Sequence, residues 1–388
     1  MKEVYFDNNA TTAVAPEVLE AMMPFFKSEY GNPSSMHIIG GRIKQHIDHA
    51  REQVAALINA DPEEILFTSC GTESNNTALR GSMLAQPGKR HIVTSKVEHP
   101  AVLEVAQYLG TRGMRVTELY VDGEGQLNLD DLSDAISDET GIVSIMWANN
   151  ETGVIFPIQE IAEICAERGV PCHTDAVQAV GKIPIDVQNT PVNMLSLSGH
   201  KLHTPKGIGA LYVRRKTPLK PFMLGGHQER GRRAGTENVP YIVGLGVAAE
   251  LATKHMEEEN TRVKALRDKL ENALLEKCPD TRRNGHKDLR LPNTTNISFE
   301  FIEGEAILLL MDAQGIAASS GSACTSGSLE PSHVIRALGV PYTAVHGSTR
   351  FSLSRYNTEA EVDYVIEQVP PIIERLRKMS PFVGGEVY

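Results

Sequence analysis

Between about residue 50 and about residue 215, short apolar runs alternate with stretches of helical periodicity, and this alternation leaves the chain few architectures. The runs Ile65-Leu-Phe-Thr, His91-Ile-Val-Thr, Arg115-Val-Thr-Glu-Leu, Gly141-Ile-Val-Ser-Ile-Met, Val170-Pro-Cys-His-Thr, Met194-Leu-Ser-Leu and Gly209-Ala-Leu-Tyr-Val have the length and composition of strands. Between them, Asp130 to Ser137 and Ile158 to Arg168 carry apolar residues at helical spacing. In the second stretch Ile158, Ile161, Ala162 and Cys165 share one face. Strands joined through such crossover helices give an α/β fold with a largely parallel sheet.

A chain of 388 residues, 41% of them hydrophobic, exceeds what one core needs, so a second, smaller domain is expected. Apolar positions at three- and four-residue steps from 243 to 276 predict a long amphipathic helix joining the two, with the boundary near residue 255. Beyond it, Asn296-Ile-Ser-Phe-Glu-Phe and Thr349-Arg-Phe-Ser-Leu-Ser alternate with period two, as half-buried strands of a smaller α/β domain do. The stretch Ala317 to Ser328 is almost entirely Ala, Ser, Gly and Thr around Cys324. It is too poor in apolar side chains to pack firmly and is expected to be a mobile loop.

The balance of 38 Lys+Arg against 49 Asp+Glu gives −11, a charge that repels a phosphate backbone, so nucleic acid is not an expected partner. The most apolar stretches, Tyr241 to Ala252 and Ala306 to Met311, fall short of a membrane span, and no leader-like segment precedes Asp7. A soluble cytoplasmic protein is expected. The five cysteines form no CxxC pair and have no zinc-like His spacing, which favours reduced thiols.

The segment Ser196-Leu-Ser198-Gly-His200-Lys201 sets a lysine at the end of an apolar run, where open α/β sheets bind ligands, and such a lysine could form a Schiff base. Alone it would be an ordinary solvated lysine. Upstream, His173-Thr-Asp175-Ala-Val-Gln178 ends a strand in a carboxylate, the group a pyridoxal ring nitrogen requires. Thr68-Ser-Cys70-Gly71-Thr72-Glu73 lies between a strand and a helix, where backbone N–H groups could hold a phosphate or simply cap the helix.

Nine blocks in order carry a resemblance: Tyr5-Phe-Asp-Asn-Asn-Ala-Thr-Thr, Gly31-Asn-Pro-Ser-Ser, Cys70-Gly-Thr-Glu-Ser-Asn-Asn, Glu98-His-Pro-Ala-Val, Asn149-Asn-Glu-Thr-Gly, His173-Thr-Asp-Ala-Val-Gln, Ser198-Gly-His-Lys, Arg233-Ala-Gly-Thr-Glu-Asn and Ser319-Ser-Gly-Ser-Ala-Cys-Thr-Ser. From end to end the chain resembles the cysteine desulfurases of the class V aminotransferase fold, the NifS/IscS family. Ser34-Ser-Met-His37 and the Cys324 loop lean towards the nitrogen-fixation type, NifS.

That resemblance implies the fold type I of pyridoxal-phosphate-dependent transferases: a large domain over 13–255 with a mainly parallel seven-stranded sheet, and a smaller α/β domain from 1–12 and 256–388. It implies that Lys201 carries pyridoxal 5'-phosphate, Asp175 meets the ring nitrogen, Gln178 the ring oxygen, and His99 lies over the ring as a general acid/base. Gly71, Thr72, Ser198, His200 and, from a second subunit, Thr236 would hold the phosphate, which makes the protein a homodimer. Asn150 would touch cofactor and substrate, and Arg350 would grip the carboxylate of L-cysteine, a task suited to its two-pronged guanidinium. Taken alone, His99 could be a buried structural histidine and Asn150 a turn residue, while for Arg350 a surface strand residue is the less favoured alternative. The cluster Arg230, Arg232 and Arg233 is equally a wall of the neighbouring site or a solvated loop.

Cys165 on a helix face and Cys172 in a strand are small core residues, Cys278 beside Pro279 is incidental, and Cys70 has no assigned role. Cys324 is the thiol that would accept sulfur and pass it on. The acceptor implied is an iron–sulfur scaffold resembling NifU or IscU. No permanent metal site is implied, although Cys324 could share a nascent iron–sulfur cluster with that scaffold.

Overall fold

The computed structural model describes residues 3–320 and 330–381. A seven-stranded sheet runs in the order Ile65–Thr68, Gly209–Val213, Met194–Ser198, Cys172–Asp175, Thr140–Ser144, His91–Ser95 and Arg115–Leu119. The last five are mutually parallel, and Gly209–Val213 is antiparallel to both of its neighbours. All seven expected strands are present, and the sheet is mainly parallel.

Alternation of side chains sorts the strand residues onto two apolar faces. Leu66, Ile92, Ile142, Met194 and Leu211 pack under the helices Gly71–Ala85 and Pro100–Thr111. Phe67, Val93, Val143, Leu195 and Tyr212 face the helices Pro16–Lys27, Ile38–Leu57, Ile158–Glu167 and Val239–Lys254. In Ile158–Glu167 the buried residues are Ile158, Ile161, Ala162 and Cys165, the four that share the expected apolar stripe.

A second apolar cluster gathers Val4 and Phe6 from the start of the chain with Leu270, Ile297, Phe299, Phe351 and Val365. It lies on an antiparallel sheet of Thr281–Arg283, Thr294–Phe299 and Ser348–Ser352. Cys278 is buried in this cluster and is a core residue rather than an incidental one.

Two local expectations differ from what is found. The helix expected over 243–276 is interrupted: Val239–Lys254 ends at His255, whose N–H still bonds the Leu251 carbonyl, and the next stretch contains a π-turn, Glu259–Val263, before Lys264–Lys277. Periodicity reports which face is apolar and is blind to one extra residue in a turn. Ala317, expected in the loop, belongs to the short strand Ile316–Ala317 beside Val4–Tyr5. Most of the remaining loop, with Cys324, lies outside the described residues. No described helix is long and apolar enough to cross a membrane.

Candidate active site

A cavity of about 290 Å³ opens beside the carboxyl ends of Cys172–Asp175 and Met194–Ser198, the place the parallel topology reserves for ligands. Gly71, Thr72, His99, Asn150, Asp175, Gln178, Ser198, His200, Lys201 and Arg350 all line it. Residues from nearly three hundred positions of sequence thus meet at one site.

Lys201 closes a single helical turn, Gly199–Lys201, directly after a strand. Gly199 is required there, because a Cβ would stand 2.3 Å from Thr204 Oγ1 and 2.7 Å from Ile208 Cγ2. The Lys201 ammonium donates to the carbonyls of Asn9 and Ala10, the latter at 2.7 Å. Burial, then the positive charges of Lys182 and Arg350, push its pKa down to about 7, against the opposing pull of Asp7 and Asp175. A large share of the amine is therefore free at neutral pH. For the cofactor-free protein, the rate of capturing added pyridoxal phosphate is expected to rise with pH to a midpoint of about 7, not in the ordinary lysine range, as stopped-flow absorbance would record.

Asp175 is braced on both oxygens: Asn75 Nδ2 donates to Oδ2 at 2.6 Å and the Val177 N–H donates to Oδ1 at 3.0 Å. Gln178 donates from Nε2 to the Asn9 carbonyl at 3.0 Å. At the other end, Cys70 caps the helix Gly71–Ala85 without a side-chain bond, so the first N–H groups have no side-chain acceptor there. Ser198 Oγ is buried beside them with no partner. Gly71 leaves that end open, since a Cβ would come within 2.9 Å of Val177 Cγ2. An orphan hydroxyl at a helix N-terminus, a braced carboxylate and a lysine of lowered pKa in one cavity fit pyridoxal phosphate.

His99 is the N-cap of Pro100–Thr111, its Nδ1 accepting from the Ala101 N–H at 3.1 Å, which leaves Nε2 to carry the proton in the neutral ring. Burial lowers its pKa, partly opposed by Asp175. His200 is pushed down to about 4, by burial first and then by Lys201 and Lys206, so it is neutral at physiological pH. Arg350 is buried, not on the surface: Nη2 pairs with Asp7 Oδ1 at 2.6 Å and Nη1 donates to the Asn150 carbonyl at 2.9 Å. Its Nε is buried without a hydrogen-bond partner.

Four contributors carried no assigned role in the sequence reading. Asp7, Asn9 and Asn75 lie inside the quoted blocks, but their tasks depend on contacts across the fold. His333 lines the cavity and donates from Nε2 to the Glu98 carbonyl at 3.0 Å, and nothing in the sequence marks it. Beside it Glu98 is fully buried; its Oε1 accepts from Ser95 Oγ at 2.8 Å and Met146 N–H at 2.9 Å, while Oε2 has no partner. Burial raises its pKa to about 8.

The folded form therefore keeps a proton that the unfolded form releases near the ordinary glutamate value of about 4.3. The associated stability is complete below that value and is lost as pH rises through about 8. Glu98→Gln, which keeps the accepting oxygen, is expected to flatten this decline, visible as urea midpoints that change less over the same pH window.

Thr236 is exposed and lies apart from Lys201, in a separate crevice with Ser69, Arg233 and Gly235. The arginine cluster is not a freely solvated loop: Arg233 pairs with Glu73 at 2.8 Å, and Arg230 and Arg232 each donate to the Glu63 carbonyl. Among the described cysteines, Cys165, Cys172 and Cys278 are buried and Cys70 lines the cavity.

A family model described as aminotransferase class-V matches residues 4–365. The chain belongs to this family. A cysteine desulfurase of Trichormus azollae is 61% identical over 386 residues, covering 100% of this chain and 96% of the relative. The cysteine desulfurase NifS of Azotobacter vinelandii is 57% identical over 386 residues, covering 99% and 96%. A solved structure described as a NifS-like protein aligns with a TM-score of 0.91 at 40% identity, over 97% of this chain and 100% of that one. With this membership the class V aminotransferase chain is a pyridoxal-phosphate enzyme, in agreement with the cavity.

Proposed function

We propose that in this pyridoxal-phosphate-dependent cysteine desulfurase Lys201, Asp175 and Arg350 hold cofactor and substrate while Cys324 takes the sulfur. The observation that carries this reading is the Lys201 amine, buried and lowered to about 7, in one cavity with the braced carboxylate of Asp175. When bound, pyridoxal phosphate supplies an electron sink that weakens the bonds around the substrate Cα.

The chain's own residues do the rest. Arg350, oriented by Asp7, fixes the carboxylate of L-cysteine and so decides which way the side chain points. The Lys201 amine, once free, removes and returns the Cα proton, and His99 holds a proton at Nε2 beside it. Asp175 keeps the ring nitrogen protonated, and Asn75 keeps Asp175 in place. Gly71, Thr72, Ser198 and His200 take the phosphate, with Thr236 of a second subunit, and Gln178 the ring oxygen. Asn150 stands between cofactor and substrate. The substrate's C–S bond breaks as the Cys324 thiolate bonds its sulfur; the carbon gains a proton and leaves as L-alanine, and Cys324 is left as a persulfide.

Thr236, exposed and remote from its own Lys201, supports a homodimer, as do the exposed apolar side chains of Tyr30, Met36, Ile38 and Leu224. We place the persulfide sulfur on an iron–sulfur scaffold resembling NifU or IscU, for nitrogenase maturation, on the strength of the NifS relatives. The four described cysteines are free thiols, which suits the cytoplasm. We assign 13–255 to the large domain and 1–12 with 256–388 to the small one.

The test is incubation of the coloured protein with L-cysteine and a reducing thiol. Equal yields of L-alanine and sulfide support the reading; pyruvate or a keto acid in place of alanine would assign a different class V reaction.

A further inference from the structure

Lys182 is absent from the lining of that cavity and is buried, yet its positive charge bears on Lys201. Its ammonium donates to Gln178 Oε1 at 3.2 Å and to the Gln178 carbonyl at 3.3 Å. An ammonium only donates, so the oxygen end of the Gln178 amide must face Lys182 and the NH₂ end must face away. That NH₂ donates to the Asn9 carbonyl, the same oxygen that accepts from Lys201. A continuous chain of contacts therefore runs from Lys182 through Gln178 and Asn9 to the lysine that bonds the cofactor.

On its other side Lys182 meets the π-turn Glu259–Val263. Asn260 Nδ2 donates to the Lys182 carbonyl at 2.9 Å, and the buried carboxylate of Glu259 has an oxygen, Oε2, with no hydrogen-bond partner. Lys182, Glu259 and Lys201 line a second cavity of about 20 Å³. That space suffices for about one water molecule among polar groups.

We propose that Lys182 is a positioning residue, seated by the π-turn residues Glu259 and Asn260, which fixes the orientation of the Gln178 amide and sets the charge around Lys201. The inference rests on the assignment of Lys201 and Gln178 to the cofactor. An NH₂ end presented to the cavity is the end that can donate to a ring oxygen, so a reversed amide would repel it. The charges facing Lys182 are Glu259, which attracts, and Arg350 and Lys201, which repel, with His203 beside it; Glu259 in turn faces Arg355 and Glu258 as well as Lys182, and burial raises its pKa. Those facing Lys201 are Lys182 and Arg350 on one side and Asp7 and Asp175 on the other, with His99 and His200 adjacent.

The experiment is a pH titration of the visible band of the pyridoxal-phosphate-loaded protein for the wild type, Lys182→Met, Glu259→Gln and the double variant. Removing a positive charge near Lys201 should raise the midpoint by about one pH unit in Lys182→Met. Removing the negative partner should lower it in Glu259→Gln, and the double variant should fall between the two. A defect of packing alone gives no such opposition of sign. Equal midpoints, or shifts in one direction for both single variants, would overturn the proposal; if Lys182→Met does not fold, Glu259→Gln against the double variant decides it. A wild type without a visible band would instead remove the cofactor assignment on which the inference stands.

Discussion

Lys201→Ala is expected to lower alanine formation from L-cysteine by about four orders of magnitude or more, the upper range for loss of a positioned proton carrier. The large effect follows from two tasks on one atom. In the proposed mechanism the amine anchors the cofactor and is also the base that takes the substrate Cα proton, a task its pKa of about 7 suits. No other lysine replaces it: Lys182 is buried and committed to Gln178, and Lys206 is absent from the cavity lining. Amino-acid analysis of the products, normalised to bound cofactor, measures the rate. Activity within about tenfold of the wild type would show that the proton travels by another route.

Cys324→Ala is expected to abolish persulfide formation and to reduce alanine release by about three orders of magnitude or more while leaving the visible spectrum intact, because the variant keeps every described group that lines the cavity. The other thiols are poor substitutes. Cys172 is held well above its ordinary pKa by its hydrogen bond with Cys165 and by burial, and burial pushes Cys278 up to about 11. Thiols in that state carry almost no thiolate at neutral pH. Cys70 reaches the cavity from the cap of Gly71–Ala85, so the product peptides should be searched for sulfur at both positions.

The sheet was legible because six of its seven strands are buried throughout and read as apolar runs, the edge strand Arg115–Leu119 being the exception, while Ile158–Glu167 shows its stripe plainly. Most of the site was legible too, through motifs that end on strands or start helices. What escaped shares one cause: Asp7, Asn9 and Asn75 act through partners far along the chain, Arg350, Lys201 and Asp175 respectively. His333 follows the Cys324 stretch in sequence and meets the cavity only once Val334 and Ile335 pack into the large-sheet core. The π-turn at Glu259 was hidden because an inserted helical residue leaves the apolar pattern nearly unchanged.

The central claim is that sulfur passes from L-cysteine to Cys324, and peptide mass spectrometry of the protein after one turnover without reductant tests it most directly. The account predicts that the peptide containing Cys324 is heavier by one sulfur atom, with alanine released in equal amount. Alanine released with that peptide unmodified, or with the added sulfur on Cys70, would contradict it.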